Sequence, residues 1–381
     1  MPEIEDKSVF KPCIGVILVT NSCNLSCIYC YASPNSAKPK IISAKTGKKL
    51  IDIVANNAVL AKADSFSICF HGGGEPTIPA AKHRVLELIK YAKTQELPCN
   101  ISLTTNGFWS EEDAEIYLTS GITEISLSCD GNEEIQNRQR PTVQGTESFS
   151  RVFSTIKAIE KKSMPYGIRF SVMDESITNL PESIKYFCEN TACNVFQVEP
   201  VFGHGKAKES YLKNNSRFVK AFFEAYDIAS SYGRTIYYSG ARPAVFTNKF
   251  CSALDSALIV NHDNDLTSCY EIFGKEHELS GLFMYGKMNS AGDLMIDTRI
   301  RETLASTISL RQAECLKKRC FCYYHCAGDC PPKTINSDQS GANTFSARCN
   351  LNRSITKGIL LRNIESAGGV WHGEDTQGCR V

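Results

Sequence analysis

The chain has 381 residues, of which 42% are hydrophobic and 22% charged, and its formal net charge at pH 7 is +1. This length favours one large domain with an appendage, and the balanced charge creates no long-range field that would attract nucleic acid. No apolar stretch reaches the roughly 20 residues of a membrane-spanning helix, and the N-terminus has no signal-peptide core, so we expect a cytoplasmic protein without a membrane partner.

The first two thirds of the chain alternates strand-like and helix-like segments. Apolar runs rich in β-formers predict six strands, at residues 14–20, 66–70, 101–105, 122–128, 167–172 and 194–199. Apolar residues at helical spacing lie between them, and Ser43 and Ser110 stand where N-caps would begin helices. Strand–helix repetition of this kind builds an α/β fold with a parallel sheet, whose active site lies at the C-terminal ends of the strands.

The repetition stops after about Gly240. The residues that follow are short irregular segments threaded with cysteines, and then a helix near residues 355–364. We therefore predict an α/β domain over residues 12–240, a cysteine-rich domain over 241–365 and a flexible tail over 366–381. Metal can order such a cysteine-rich segment without a large apolar core.

The chain has 18 cysteines, three of them within residues 23–30 and six within 315–349. Clustered cysteines in a reducing cytosol bind metal or carry redox chemistry more often than they form disulfides. Cys23, Cys27 and Cys30 have the spacing C-x3-C-x2-C just after the first predicted strand. Three thiolates on one loop hold three irons of a [4Fe–4S] cluster and leave the fourth iron open for a ligand. A structural zinc site is the alternative, but zinc usually takes four ligands and no fourth lies close in sequence.

These residues resemble the radical SAM superfamily. The segment CNLSCIYCY at residues 23–31 is similar to its cluster motif, including the aromatic Tyr29. Four later segments are similar to its strand ends in the same order: HGGGEPT at 71–77, SLTTNG at 102–107, SLSCDG at 126–131 and QVEPVFGHGKA at 197–207. The resemblance covers about residues 12 to 240.

The resemblance implies a partial (β/α)6 barrel that binds a [4Fe–4S] cluster through Cys23, Cys27 and Cys30, which are then catalytic. It also implies that S-adenosylmethionine (SAM) is held by Tyr29, Gly72, Gly73, Gly74, Glu75, Thr105, Asn106, Ser128, Arg140 and Glu199. One electron, from a donor such as flavodoxin or ferredoxin, would cleave SAM to a 5′-deoxyadenosyl radical that abstracts hydrogen from the substrate. The cofactor carries the difficult step, and the protein positions it.

The C-terminal cysteines resemble the SPASM extension of peptide- and protein-modifying members, which binds one or two auxiliary [4Fe–4S] clusters. By that resemblance Cys251, Cys269 and Cys330 would bind the first auxiliary cluster. The second would be bound by Cys315, Cys320, Cys326 and Cys349. Zinc knuckles are the alternative.

The match to this extension has departures. The family's C-x2-C is here Cys315-x4-Cys320, so the nearby Cys322 is a further candidate ligand. Asn264 stands where a glycine is usual, and asparagine also adopts left-handed turns. The first auxiliary cluster has three ligands in sequence, so either its fourth iron binds a substrate cysteine, as in thioether-forming members, or Cys322 or another distant residue completes it.

The substrate class follows from the same resemblance. Sulfatase-maturating relatives use an aspartate directly after the second auxiliary cysteine as base, whereas this chain has Tyr270 and then Glu271. Tyrosine is a poor base at neutral pH, so we favour a maturase that forms a thioether or carbon–carbon crosslink in a ribosomally made peptide over a sulfatase-maturating enzyme. A non-catalytic iron–sulfur electron-transfer protein is the alternative of another class.

The remaining residues are less specific. We expect no leader-recognition domain before Cys23, and therefore leader binding by the barrel surface or by a separate protein. His71 and His204 lie near predicted strand ends and are candidates for contact with substrate or cofactor. The basic run at 317–319 is interpreted as a solvated face that could attract an acidic redox partner or peptide. Five cysteines within the predicted barrel are interpreted as buried small hydrophobes: Cys69, Cys99, Cys129, Cys188 and Cys193.

Overall fold

The computed structural model describes residues 10–32, 34–35, 38–202, 206, 214–252, 256–335 and 347–369. The candidate His204 therefore lies outside the described residues. No helix in the described part of the chain is long and apolar enough to cross a membrane.

The described residues form one sheet of eleven strands in the order β11-β10-β9-β8-β1-β2-β3-β4-β5-β6-β7. The strands are β1 (Ile14–Leu18), β2 (Phe66–His71), β3 (Cys99–Thr105), β4 (Glu124–Ser128), β5 (Tyr166–Val172), β6 (Val195–Pro200), β7 (Thr235–Tyr237), β8 (Ala257–Val260), β9 (Asp265–Thr267), β10 (Met284–Met288) and β11 (Leu294–Ile296). The strands β1 to β7 are parallel to their neighbours, and β8 pairs in parallel with β1. On its other edge β8 pairs antiparallel with β9, and β9, β10 and β11 continue antiparallel. The six strands predicted from the sequence are β1 to β6, and the predicted parallel α/β fold is confirmed.

Helices connect the parallel strands and cover one face of the sheet. The helices are α1 (Ala44–Leu60), α2 (Pro79–Ala92), α3 (Glu111–Thr119), α4 (Glu133–Gln139), α5 (Phe149–Lys161), α6 (Leu180–Asn190), α7 (Asn215–Ser231), α8 (Ser280–Phe283), α9 (Thr298–Lys317), α10 (Tyr323–Cys326), α11 (Pro331–Ile335) and α12 (Ala347–Ser366), with a 3-10 helix at Asp174–Asn179. Both predicted N-caps are present. The Ser43 and Ser110 side chains accept hydrogen bonds from the backbone N–H groups of Thr46 and Asp113.

Alternation along the strands separates an apolar side from a polar side. On β2, Ile68 and Phe70 are fully buried in the main core, as is Leu50 of α1, whereas Cys69 and His71 are only half-buried on the other side. Burial of each such large apolar side chain contributes about 1.5–3 kcal/mol. Residues of β2 to β5 on this other side line a common space, here called the lumen. The C-terminal strand ends surround its mouth.

The cysteine-rich part of the chain continues the same sheet, because β8 pairs in parallel with β1. The predicted division at residue 240 stays a prediction. Asn264 has a φ of +67°, so the expected left-handed turn before β9 is confirmed. The predicted helix near residues 355–364 lies within α12, which is held to α7 by an ion pair between Arg362 and Asp227 at 2.7 Å. Most of the predicted tail, from residue 370, lies outside the described residues.

Candidate active site

The cysteine loop, residues 23–30, follows β1 at the mouth of the lumen, and its three cysteines are half-buried. Backbone hydrogen bonds tie this loop to the end of α4 and the chain that follows it. Ser26 N–H donates to the carbonyl of Pro141 at 2.7 Å and Ile28 N–H donates to that of Gln139 at 3.0 Å. Leu25, between the first two cysteines, is fully buried and anchors the loop. The three thiols are therefore presented on a fixed loop.

The glycine loop, residues 72–75, follows β2 and packs directly against the chain just before Cys23. Glu75 N–H donates to the carbonyl of Ser22 at 2.8 Å. A Cβ on Gly74 would lie 2.0 Å from that same carbonyl oxygen, and one on Gly73 would lie 2.4 Å from the ring of Phe273. Neither glycine has a left-handed φ, so backbone conformation does not explain the residue type. Glycine is required at both positions because a side chain there would be too close to its neighbours.

Glu75 is buried, and both of its carboxylate oxygens are engaged within the protein. One oxygen accepts from the Thr77 and Thr105 hydroxyls at 2.6 and 2.8 Å, and the other accepts from Asn106 N–H at 2.7 Å. The Asn106 side chain in turn donates to Asn24 in the cysteine loop at 2.7 Å. Glu75 thus joins the ends of β2 and β3 to the cysteine loop, and its predicted direct contact with SAM stays a prediction.

Tyr29 belongs to a buried polar cluster under the cysteine loop. Its hydroxyl donates to Asp130 at 2.6 Å and accepts from Arg140 at 2.6 Å. Asp130 also accepts from the Gln139 amide at 2.9 Å and from Ser171 N–H at 3.1 Å, and it lies 3.7 Å from Arg140. Because Asp130 is inaccessible to solvent and Arg140 nearly so, each charge needs the other.

A pocket at the mouth brings together most of the residues predicted to bind the cluster and SAM. It is lined by Cys23, Cys27, Tyr29, Cys30, Gly72, Gly73, Gly74, Glu75, Thr105, Asn106, Ser128 and Arg140, together with Tyr31, Ala32, Pro34, His71, Thr104, Arg169 and Ser171. Glu199 does not line it; its carboxylate accepts from the backbone and side chain of Ser239, both at 2.9 Å. Sequence reasoning missed Arg169, whose place on the polar side of β5 becomes visible only once the strand register is known.

The residues of this pocket fit a [4Fe–4S] cluster and SAM. Arg140 Nε and Arg169 Nε are buried and have no hydrogen-bond partner among the described residues. Two unsatisfied guanidinium donors beside three thiols suit an anionic ligand group such as a carboxylate. Burial raises the pKa of Cys27 to about 11, although the neighbouring Arg140 opposes the rise. Thiols in such surroundings become thiolates when they bind metal.

The first C-terminal cysteine group, Cys251, Cys269 and Cys330, lies next to this pocket. Burial raises the pKa of the Cys269 thiol, and the nearby Glu271, Cys330 and Cys251 groups raise it further, so the three thiols are neighbours. Tyr270, next to Cys269, stacks on the ring of His71 with 5.1 Å between centroids. This stack joins the first C-terminal cysteine group to the start of the glycine loop.

Tyr270 and Glu271 differ in what their surroundings allow. Burial raises the pKa of Tyr270 to about 12, so its hydroxyl stays protonated at neutral pH. Glu271 forms an ion pair with Lys333 at 3.2 Å. His71 has a pKa lowered to about 4, first by burial and then by Arg169, and its Nδ1 accepts from Gly72 N–H at 3.0 Å. Its protonated Nε2 is therefore the donor of the neutral ring.

The second C-terminal cysteine group, Cys315, Cys320, Cys326 and Cys349, lies around the end of α9. Burial raises the pKa of Cys315 to about 11; Arg311 opposes this rise, and the other three thiols add to it. The Arg311 guanidinium donates to the Cys349 sulfur at 3.0 Å. Cys349 of α12 is thus brought to the three cysteines at the end of α9 and in the segment after it.

Cys322 lies with the second C-terminal cysteine group and not with the first. Its buried thiol donates to the Thr356 hydroxyl of α12 at 2.9 Å, and it also contacts Cys326. This position does not support Cys322 as the fourth ligand of the first group. Whether Cys320 or Cys322 binds metal stays a prediction.

A buried ion pair that sequence reasoning missed connects the two C-terminal groups. Arg348 donates to both oxygens of Asp329 at 2.7 and 2.8 Å, and both residues are buried. Asp329 precedes Cys330 of the first group, and Arg348 precedes Cys349 of the second. Across the described part of the chain, no set of three or more Cys, His, Asp or Glu side chains is arranged to hold a single metal ion.

Comparisons with known proteins identify the fold and two kinds of relative. The sporulation killing factor maturation protein SkfB of Bacillus subtilis is 25% identical over 203 residues, 53% of this chain and 46% of that protein. A cysteine-type anaerobic sulfatase-maturating enzyme of Clostridium perfringens is 26% identical over 213 residues, 54% of this chain and 57% of that protein. The matched segments thus span roughly half the length of these curated relatives.

Solved structures match over nearly the whole chain. The structure of anSMEcpe with bound AdoMet superimposes with a TM-score of 0.72 over 94% of this chain and 96% of that one, at 20% identity. The structure of anSMEcpe with bound AdoMet and the Kp18Cys peptide gives a TM-score of 0.71 at 21% identity. Similarity at this level of identity establishes a shared fold.

Residues 17–186 match the family model of the radical SAM superfamily. This range contains the end of β1, all of β2 to β5, the cysteine loop, the glycine loop and Arg140, which meet at the pocket described above. Members of the superfamily use a [4Fe–4S] cluster and SAM, the two groups that the pocket residues fit. The chain therefore carries a radical SAM domain.

Proposed function

We propose that the chain is a radical SAM peptide maturase that forms a thioether or carbon–carbon crosslink in a ribosomally made peptide. The observation that carries the proposal is the stack of Tyr270 on His71. It puts Cys269 beside the start of the glycine loop, so a peptide residue in the lumen would contact both the SAM site and the first C-terminal cysteine group. Relatives that mature peptides and proteins support this substrate class.

In this proposal Cys23, Cys27 and Cys30 hold the cluster, and the glycine loop, Ser128 and Arg140 hold SAM. The bound cluster and SAM would supply the chemistry, a one-electron cleavage of SAM that yields a 5′-deoxyadenosyl radical. The chain's own residues position and enclose the ligands. Arg140 balances the ligand carboxylate, while Tyr29 and Asp130 keep the guanidinium in place from below. A bound peptide would cover the mouth of the lumen and exclude water from the radical.

The C-terminal groups would hold two auxiliary [4Fe–4S] clusters in the same proposal. Cys251, Cys269 and Cys330 would leave one iron of the first cluster without a protein thiolate. A substrate cysteine could bind there, which favours thioether formation among the crosslinks. The Glu271–Lys333 ion pair borders this position and supplies a carboxylate for proton removal.

A second candidate is formylglycine formation on a sulfatase. The match to anSMEcpe over 94% of this chain favours it. Tyr270 argues against it, because a hydroxyl with a pKa of about 12 does not replace the aspartate base that this reaction uses in the relatives. Glu271 is the alternative base in this second reading.

Mass spectrometry separates the two reactions. The chain would be reconstituted with iron and sulfide under anaerobic conditions, reduced with dithionite, and incubated with SAM and short peptides encoded beside its gene. A crosslinking maturase gives a product that has lost H2; if the link is a thioether, one cysteine also no longer reacts with iodoacetamide. A formylglycine product instead reacts with a hydrazide probe. SAM cleavage without any peptide change would contradict the maturase proposal for those peptides, and no SAM cleavage at all would favour the non-catalytic electron-transfer alternative.

A further inference from the structure

The exposed turn over the second C-terminal cysteine group is basic and aromatic. Lys317, Lys318 and Arg319 are all exposed, with the Lys317 side chain 78% accessible. Phe321 follows them and is 53% exposed. Glu314 lies 3.9 Å from Lys317 and neutralises part of this charge.

Two further aromatic residues extend this surface. Phe246 is 76% exposed and stacks on Tyr324, with 4.2 Å between ring centroids. The segments are fastened together, because Thr247 N–H donates to the carbonyl of Tyr324 at 2.9 Å. Exposed aromatic side chains of this size, beside an arginine, are typical of protein interfaces. We call this the basic aromatic surface, made of Phe246, Lys317, Lys318, Arg319, Phe321 and Tyr324.

The charge of this part of the chain differs from that of the whole. Residues 311–362 contain nine Lys and Arg against three Asp and Glu, a net charge of +6, whereas the complete chain has +1. The rest of the protein is therefore acidic on balance. Lys317, Lys318 and Arg319 are the exposed run within this excess, and a local excess of positive charge steers an acidic partner to the surface that carries it.

The basic aromatic surface also lies beside two of the proposed cluster ligands. Lys317, Lys318 and Arg319 lie on the turn between Cys315 and Cys320, which is closed by a hydrogen bond from Cys320 N–H to the Cys315 carbonyl at 3.0 Å. Cys320 is half-buried and Cys315 is buried. A protein docked on this turn would contact the residues that flank two proposed cluster ligands.

We infer that the basic aromatic surface is the docking site of an acidic one-electron carrier protein, of the flavodoxin or ferredoxin class. The inference rests on the proposed function, because it uses the second C-terminal cysteine group as the holder of a cluster. The carrier's flavin or iron–sulfur group loses one electron, and the cluster held by Cys315, Cys320, Cys326 and Cys349 gains it. No bond is made between the two proteins.

The test compares two double charge reversals in the reconstituted full chain. Lys317→Glu with Lys318→Glu changes the basic aromatic surface, and Lys90→Glu with Lys161→Glu is the matched control on the exposed faces of α2 and α5. An acidic bacterial flavodoxin is the probe. Its binding is measured by biolayer interferometry at several salt concentrations, and electron transfer from its hydroquinone is followed by stopped-flow absorbance.

The first reversal is expected to lower the association rate at low salt by at least about tenfold and to weaken its salt dependence, with wild-type rates for the control. Wild-type binding and reduction rates in the first variant would overturn the inference. So would unchanged flavodoxin binding together with loss of binding to an acidic peptide, which would assign the surface to substrate. Dithionite-driven SAM cleavage tests the proposed function separately from the docking site. No cleavage by the wild type would contradict the proposed function, and the binding measurement would still decide whether flavodoxin docks on this surface.

Discussion

Replacing Asp130 by Asn removes the charge at the centre of the buried cluster beneath the cysteine loop. Asn has the same shape, so the change tests electrostatics and hydrogen bonding and leaves packing unaltered. The carboxylate now accepts from Tyr29, Gln139 and Ser171 N–H, and it balances the charge of Arg140. In the variant Arg140 stays buried without a counter-charge.

The expected loss is large because both partners are inaccessible to water. Removing one partner of a buried ion pair costs about 3–5 kcal/mol. The hydrogen bonds to a charged acceptor, each about 1.5–3 kcal/mol, overlap with this figure and are not added to it. We expect the free energy of unfolding to fall by about 3–5 kcal/mol, a large share of the total for a folded protein.

Urea unfolding of the metal-free chain, followed by fluorescence of the buried Trp109, measures this loss without the contribution of metal binding. Glu134→Gln is the control, because it breaks the exposed ion pair with Arg138 on α4 and should cost about 0.5 kcal/mol or less. A loss for Asp130→Asn as small as that of the control would refute the account of this cluster as a buried, mutually dependent pair.

Three further predictions test the surroundings of the site. The pKa of His71 is about 4 in the folded chain and 6.5 in the unfolded chain. As the pH falls, the unfolded chain therefore takes up the proton before the folded chain does. The free energy of unfolding is unaffected by His71 above about pH 6.5 and falls by about 3 kcal/mol toward pH 4. The gap in unfolding free energy between wild type and His71→Gln should therefore narrow over that range, and a constant gap would contradict the assignment. Tyr270→Phe keeps the ring stack and should retain peptide turnover, whereas loss of a general base would cost roughly a hundredfold. Anaerobic iron analysis should give about twelve irons, falling to about eight when Cys23, Cys27 and Cys30 are replaced by Ala, by the stoichiometry of three [4Fe–4S] clusters; about four irons, lost entirely in the variant, would remove the auxiliary clusters from the account.

The fold of the first two thirds was predictable because its signals are local. Each strand from β1 to β6 is a short apolar run, and Ser43 and Ser110 cap helices through contacts three residues away. The strands β8 to β11 were not predicted, since they are three to five residues long and β8 joins the sheet by pairing with β1, more than two hundred residues earlier. No local pattern reports such a long-range pairing.

The candidate site was predictable where residue type and spacing carry the chemistry, as in the cysteine loop and the glycine loop. The role of Glu75 in joining β2 to β3 was not, because its partners Thr105 and Asn106 come from another strand end. Arg169 and the Asp329–Arg348 pair were missed for the same reason. Their function depends on which side of a strand or turn they occupy, and that is fixed by tertiary packing.

The most direct test of radical SAM chemistry at the cysteine loop is the formation of 5′-deoxyadenosine. The reconstituted chain would be incubated anaerobically with SAM and dithionite, beside the variant in which Cys23, Cys27 and Cys30 are Ala, and the nucleoside quantified by liquid chromatography. The account predicts 5′-deoxyadenosine from the wild type and none from the variant, although the variant keeps its auxiliary iron. Equal yields from both proteins, or none from the wild type with its full iron content, would contradict it.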